Sequence, residues 1–190
     1  SSKHFSDFLP PPAERSFFME PISQQTMQKY ILCLKPKTGL DDNNFSVKLI
    51  NSVAPHISKP LSHIFNVSIE TGIFPEGMKT SRCIPIFKSG DSSDLDNYRG
   101  VVMINTFSKV TEKIASERIL AFLDSNKFFS DLQFGFRKRT STVHALTAII
   151  NTISSKLNEN KHVLTVLIDI KKCFDVLNRE TLFKKMENCG

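Results

Sequence analysis

Two aspartates, Asp169 and Asp175, stand in the stretch VLTVLIDIKKCFDVLNRE (163–180), where an apolar run gives way to basic and polar residues. The run from Val163 to Ile168 predicts a buried strand, with Asp169 at its carboxyl end. A strand end holds a side chain rigidly, which suits a carboxylate that grips a divalent cation. Magnesium takes a few carboxylates together with substrate phosphates. Aspartate is equally at home where a strand turns, bonding nearby backbone, so the position alone leaves both readings open. Asp175 reads as a helix-entry residue ahead of Asn178. Phe174 is either core or one wall of a pocket beside Asp169.

Lys88 and Arg99 flank a loop, SGDSSDLDN, between two β-type runs. Cations so placed can clamp a triphosphate, arginine by its planar fork and lysine as a point charge. They are also ordinary solvated charges. Arg137, Lys138 and Arg139 followed by Thr140, Ser141 and Thr142 combine cations and hydroxyls at a helix start, the donor types that hold sugar-phosphate backbones.

The elements that must position these residues follow from periodicity. Ser23 predicts a cap before a helix through Met27, Tyr30, Ile31 and Leu34, ended by Pro36 and Gly39. Val47, Ile50 and Val53 predict a second short helix. A third is expected after Pro60, with Leu61, Ile64, Phe65 and Ile69 in register and Gly72 as its left-handed end. SRCIPIF and NYRGVVMI predict a hairpin with a mobile tip. Helices are expected from Phe107 to Leu123, from Ser141 or Thr142 through Leu157, and after Asn178. The order predicts an α+β fold with at least one buried strand, 163–169. The Pro-containing opening, residues 1–20, reads as an arm or linker ahead of a domain over 21–190.

The chain has 190 residues, 40% hydrophobic and 23% charged, enough for a real core. A formal charge of +6 fits a polyanionic partner without requiring one. The four cysteines form no close pair, which argues against zinc and disulfide scaffolds and for free, mostly buried thiols. The five histidines show no ligand spacing. No stretch is apolar enough to span a bilayer, so a soluble intracellular protein without a membrane partner is expected.

Four blocks in order resemble the reverse transcriptases of non-LTR retrotransposons, above all the jockey-like elements of animals. GIFPEGMKTSRCIPIFKSGD is similar to that family's G-x-(F/I)-P-x-x-(W/L/M)-K and finger-strand pattern. NYRGVVMINTFSKVTEKI is similar to its NYRPISLL…SK…EK block, with Gly100 for the usual Pro. LQFGFRKRTSTVHAL resembles Q-x-G-F-R-x-G-x-S-T, with Arg139 where Gly is common. VLIDIKKCFDVLNRETLFKKMENCG resembles the first carboxylate motif, with Cys173 for Ala.

The resemblance implies fingers and a partial palm of a right-hand polymerase, truncated before the second catalytic motif. It implies Asp169 as a catalytic metal ligand, with the Ile170 backbone helping to hold a second ion. Lys88, Arg99, Phe174 and Gln133 would bind nucleotide, Phe174 as the steric gate. Gly135, Phe136 and Arg137 would lie along the template. Implied cofactors are two Mg2+ ions, with Mn2+ as a substitute. Implied partners are an RNA template, a DNA primer, dNTPs and the remainder of the polymerase polypeptide, in a ribonucleoprotein of nucleus and cytoplasm. The family's adjacent-Asp motif has no match. LDDNNF, with Asp41 and Asp42, falls at the family's upstream G-x-D element. The chain alone is therefore expected to be inactive. A non-catalytic nucleic-acid-binding relic or scaffold derived from such an element is the alternative.

Overall fold

The computed structural model describes residues 9, 12, 14–41, 43–170 and 173–190, so Asp42 and most of the expected arm fall outside the described residues. Its contacts divide the chain into Phe18–Leu120 and a second unit of residues 121–190 with the residues before Phe18.

In the first unit, four helices precede a hairpin. Helix α1 (Gln24–Leu32) starts at Ser23, whose hydroxyl accepts from the Thr26 N–H. Helix α2 (Val47–Ser52) is capped the same way by Ser46. Helix α3 (Ala54–Thr71) begins well before the expected start, and Pro60 lies inside it. Its buried face, Ala54, Ser58, Leu61 and Phe65, runs through the proline without losing register. Packing of that face outweighs the one backbone bond that proline removes. Gly72 ends α3 at φ 69°, as its position predicts. After the one-turn α4 (Glu76–Lys79), strands β1 (Ser81–Phe87) and β2 (Tyr98–Ile104) pair antiparallel. The first part of α5 (Thr106–Ser125) completes this unit.

Met27 and Ile31 of α1, Ile50 of α2, Ala54, Leu61 and Phe65 of α3, and Val110 and Ile114 of α5 form one buried cluster with Ile22. Polar bonds set its register. The Asn66 amide brackets both backbone groups of Ile22, and the Tyr30 hydroxyl donates to Glu117 at 3.0 Å. Asn105 caps α5 by accepting from the Ser108 N–H. It also donates to the Gly77 carbonyl, while the Ser108 hydroxyl donates to that of Met78, which ties α4 to the start of α5.

Asp41 is the node that composition did not reveal. Its buried carboxylate accepts from the N–H groups of Asn43, Phe45 and Thr106 at 2.8–3.0 Å. One side chain thus shapes the loop before α2 and meets the positive end of α5. Burial pushes the carboxyl upward, but the donors Phe45, Thr106 and Asn43 bring it below the usual carboxylate range.

The second unit comprises the end of α5, α6 (Thr142–Asn158) and α7 (Arg179–Asn188), with Ser141 and Asn178 as caps. None of its described residues is buried. Phe122 meets Phe17 and Phe128 at ring separations of 5.3 and 6.4 Å. The strand expected over 163–169 does not form. Residues 161–170 carry no regular structure, and Leu164 and Ile168 are 90% and 88% exposed. An apolar run becomes a strand only with a neighbour for its N–H and C=O groups, and the hairpin is the only sheet among the described residues. The fold is mixed helix and strand, but without the expected buried strand. The thiols differ too. Cys33, Cys83 and Cys173 are exposed, and Cys189 is half-buried.

Replacing Asp41 by Ala is expected to cost about 2–3 kcal/mol in urea unfolding, since three donors lose a charged acceptor. A carboxyl lowered in the folded state stabilises fully above its unfolded value and loses that contribution as pH falls through the folded one. The stability gap between the unaltered chain and Asp41→Asn should therefore shrink as pH falls through and below the ordinary aspartate value of about 4.

Candidate nucleotide and template site

Antiparallel register sets the hairpin's two faces. Ile86 lies opposite Arg99, and the Lys88 N–H donates to the Asn97 carbonyl at 2.9 Å, which continues the ladder by one pair. Alternation then puts Lys88, Ile86, Ile84 and Arg99 on the same face. Lys88 and Arg99 are diagonal neighbours there, their Cα atoms roughly 7–8 Å apart by ladder geometry. Both are exposed. That spacing fits two oxygens of one polyphosphate chain.

The connecting loop, expected to be mobile, is laced internally. Asp91 accepts from the Ser93 N–H and hydroxyl, and Asp94 from the Asp96 N–H. The Asn97 amide and the Tyr98 hydroxyl donate to the carbonyls of Asp91 and Ser92. Burial makes almost no demand on Asp91, so its Ser93 bonds hold its carboxyl below the ordinary value.

Within the second unit, residues 126–141 form a loop built around Arg137. Its guanidinium donates to Asp124 and to the Ser130 carbonyl, each at 3.0 Å, and lies 5.5 Å from the centre of the Phe129 ring. As described, Arg137 organises the loop. The Thr140 hydroxyl reaches the carbonyls of Phe134 and Arg137, and the Gln133 amide meets the Gly135 carbonyl at 3.4 Å. Among the described residues, nothing beyond its chain neighbours lies within 4 Å of a Cβ built on Gly135. Phe136 and Arg139 have φ of 59° and 64°. Arg139 occupies a left-handed conformation where the motif usually has glycine, and L side chains adopt it at a cost.

Phe136 and Phe174 come together. They are 89% and 81% exposed, yet their rings meet edge to face at 6.4 Å and 89°. Two blocks that are 38 positions apart thereby share one aromatic wall. Asp169 and Ile170 stand in the irregular segment before it, both exposed. Asp175 lies in the turn beyond Phe174, ahead of the Asn178 cap. No three His, Cys, Asp or Glu side chains gather to hold a cation among the described residues. The donors described do not complete a metal site, so no chemical step is assigned to a metal here.

The family model for reverse transcriptase (RNA-dependent DNA polymerase) fits residues 86–190, from the end of β1 through α7. The chain belongs to the reverse transcriptase family. Similar proteins include the RNA-directed DNA polymerases from mobile element jockey of Drosophila melanogaster and Drosophila funebris. They are 24% and 25% identical over 91% and 90% of this chain and 19% of each relative. A probable RNA-directed DNA polymerase from transposon BS of Drosophila melanogaster is 24% identical over 95% of the chain and 20% of its own length. The chain spans about a fifth of the length of these relatives.

Two participants escaped sequence reasoning in this reverse transcriptase segment. Asp41 was visible only as part of Gly39-Leu40-Asp41, and its distant partner Thr106 was not. Asp124, which anchors Arg137, had no signal beyond being an acid on a helix. If Arg139 bears left-handed strain, Arg139→Gly should stabilise and Arg139→Val destabilise the chain, each by up to about 1 kcal/mol in urea unfolding followed by circular dichroism.

Proposed function

We propose that this chain is the nucleotide-facing part of an RNA-directed DNA polymerase of a jockey-like non-LTR retrotransposon, corresponding to the fingers and early palm of a right-hand polymerase. The contact of Phe136 with Phe174 carries this reading, because it joins the template block to the carboxylate block in one wall. In the reaction, a primer 3′-hydroxyl attacks the α-phosphate of a template-paired dNTP and pyrophosphate leaves. Positioning and charge neutralisation supply most of the catalysis in phosphoryl transfer.

Lys88 and Arg99 are assigned to the triphosphate, where their charges offset the charge carried by the leaving group. The Phe174 ring is assigned to the sugar, as a flat apolar wall that excludes a 2′-hydroxyl. Gln133 is assigned to the nucleotide pocket, and Gly135, Phe136 and Arg137 to the template strand. Asp169, with the Ile170 backbone beside it, is the carboxylate this chain offers toward a divalent cation, Mg2+ or Mn2+. The remaining donors are assigned to the rest of the polymerase polypeptide. An RNA template, a DNA primer and dNTPs are the partners this assignment requires.

Primer extension on an RNA template tests the reading. The chain alone should incorporate no dNTP, whereas a polypeptide of a relative's full length should do so. In that longer protein Asp169→Ala should lower the rate by about a thousandfold or more without loss of fold. Phe174→Ala should raise ribonucleotide incorporation instead. A longer protein indifferent to both substitutions would sink the assignment. Salt-sensitive RNA binding with no synthesis at any length would identify a binding protein.

A further inference from the structure

Lys88 shares a face with Arg99 only because the ladder runs one pair beyond the end of β1, through the Lys88 N–H and the Asn97 carbonyl. A two-residue turn fixes the register of a hairpin by its own geometry. A connection as long as 89–96 does not, so something else must hold the last pair closed.

Asn97 is placed to do this. It is half-buried, whereas residues 88–96 before it are all exposed. Its N–H donates to the Asp94 carbonyl, its own carbonyl accepts from Lys88, and its side-chain amide donates to the Asp91 carbonyl at 2.9 Å. The loop is thus tied to the one residue that ends the ladder. That amide lies against Gly90, where an added Cβ would stand 2.7 Å from its nitrogen and 3.0 Å from its carbon. Gly90 also has φ 99°, a conformation that side-chain-bearing residues adopt only at a cost. Glycine at 90 therefore supplies both the turn and the room in which Asn97 is seated.

We propose that Asn97, seated over Gly90, is a positioning residue for the nucleotide triphosphate, acting through Lys88 by keeping it in register with Arg99. Asn97 itself contacts no phosphate. The inference rests on the assignment of Lys88 and Arg99 to the triphosphate and adds to it the residue that holds their spacing.

Calorimetric titration of the chain with inorganic tripolyphosphate reads the cation pair, and hydrogen exchange at the Lys88 amide reads the closure of the last pair. Lys88→Ala and Arg99→Ala should each weaken binding about tenfold. Asn97→Ala should weaken it about three- to tenfold and quicken exchange at Lys88 about tenfold, while helical circular dichroism is retained. Gly90→Ala, by pushing on the Asn97 amide, should reproduce both effects. Asn97→Ala combined with Lys88→Ala should bind as Lys88→Ala does alone, which a general loosening of the protein would not produce. If the unaltered chain binds no tripolyphosphate, or both cation variants bind as it does, the triphosphate assignment fails and the inference with it. If the cation variants lose binding while Asn97→Ala and Gly90→Ala keep it, the inference alone is overturned. Unchanged exchange at Lys88 in Asn97→Ala, or full additivity in the double variant, overturns it as well. Should Asn97→Ala unravel the whole ribbon, Gly90→Ala decides by the same comparisons.

Discussion

One buried carboxylate holds the helical unit in register. Asp41 satisfies two N–H groups of its own loop and the first N–H of α5, so a loop preceding α2 is fastened to a helix that begins 65 positions later. Buried donors left unpaired cost more than the bond returns when made, which is why such a node fixes geometry as well as stability. The apolar cluster of α1, α2, α3 and α5 supplies bulk cohesion but tolerates sliding. The bonds at Asp41, Asn66 and Asn105 specify which turn of each helix meets which neighbour.

That register matters for the hairpin. Asn105 follows β2 directly, and its amide and Ser108 bind the carbonyls of α4, which precedes β1. Both ends of the β1–β2 ribbon are therefore clamped at its base, while its own residues stay largely exposed. A ribbon of two strands is marginal without a packed face, so the clamp bears much of the burden of holding Lys88 and Arg99 on their common side.

Local signals were legible. Ser23, Ser141 and Asn178 cap the helices they precede, because a cap needs one side-chain oxygen and one nearby N–H. Gly72 and the hairpin turn were readable for the same reason. What failed depended on distant partners. Pro60 suggested a helix start, yet the packed face of α3 carries the helix through it. The run Val163–Ile168 has a strand's composition, but composition supplies no neighbouring backbone. Of the site, the contact of Phe136 with Phe174 and the anchoring of Arg137 by Asp124 needed coordinates. The left-handed backbone at Arg139 was foreshadowed by the glycine usual in its motif.

The exposed linker between α6 and α7 also fixes where the polypeptide is vulnerable. A protease must draw several extended residues into its cleft, and main chain engaged in helix or sheet resists this. Residues 163–170 lie in no helix or sheet among the described residues and offer no such resistance. Scission there would detach α7 and leave every buried side chain of Phe18–Leu120 in place, so limited digestion would trim this molecule from its carboxyl side before touching its interior.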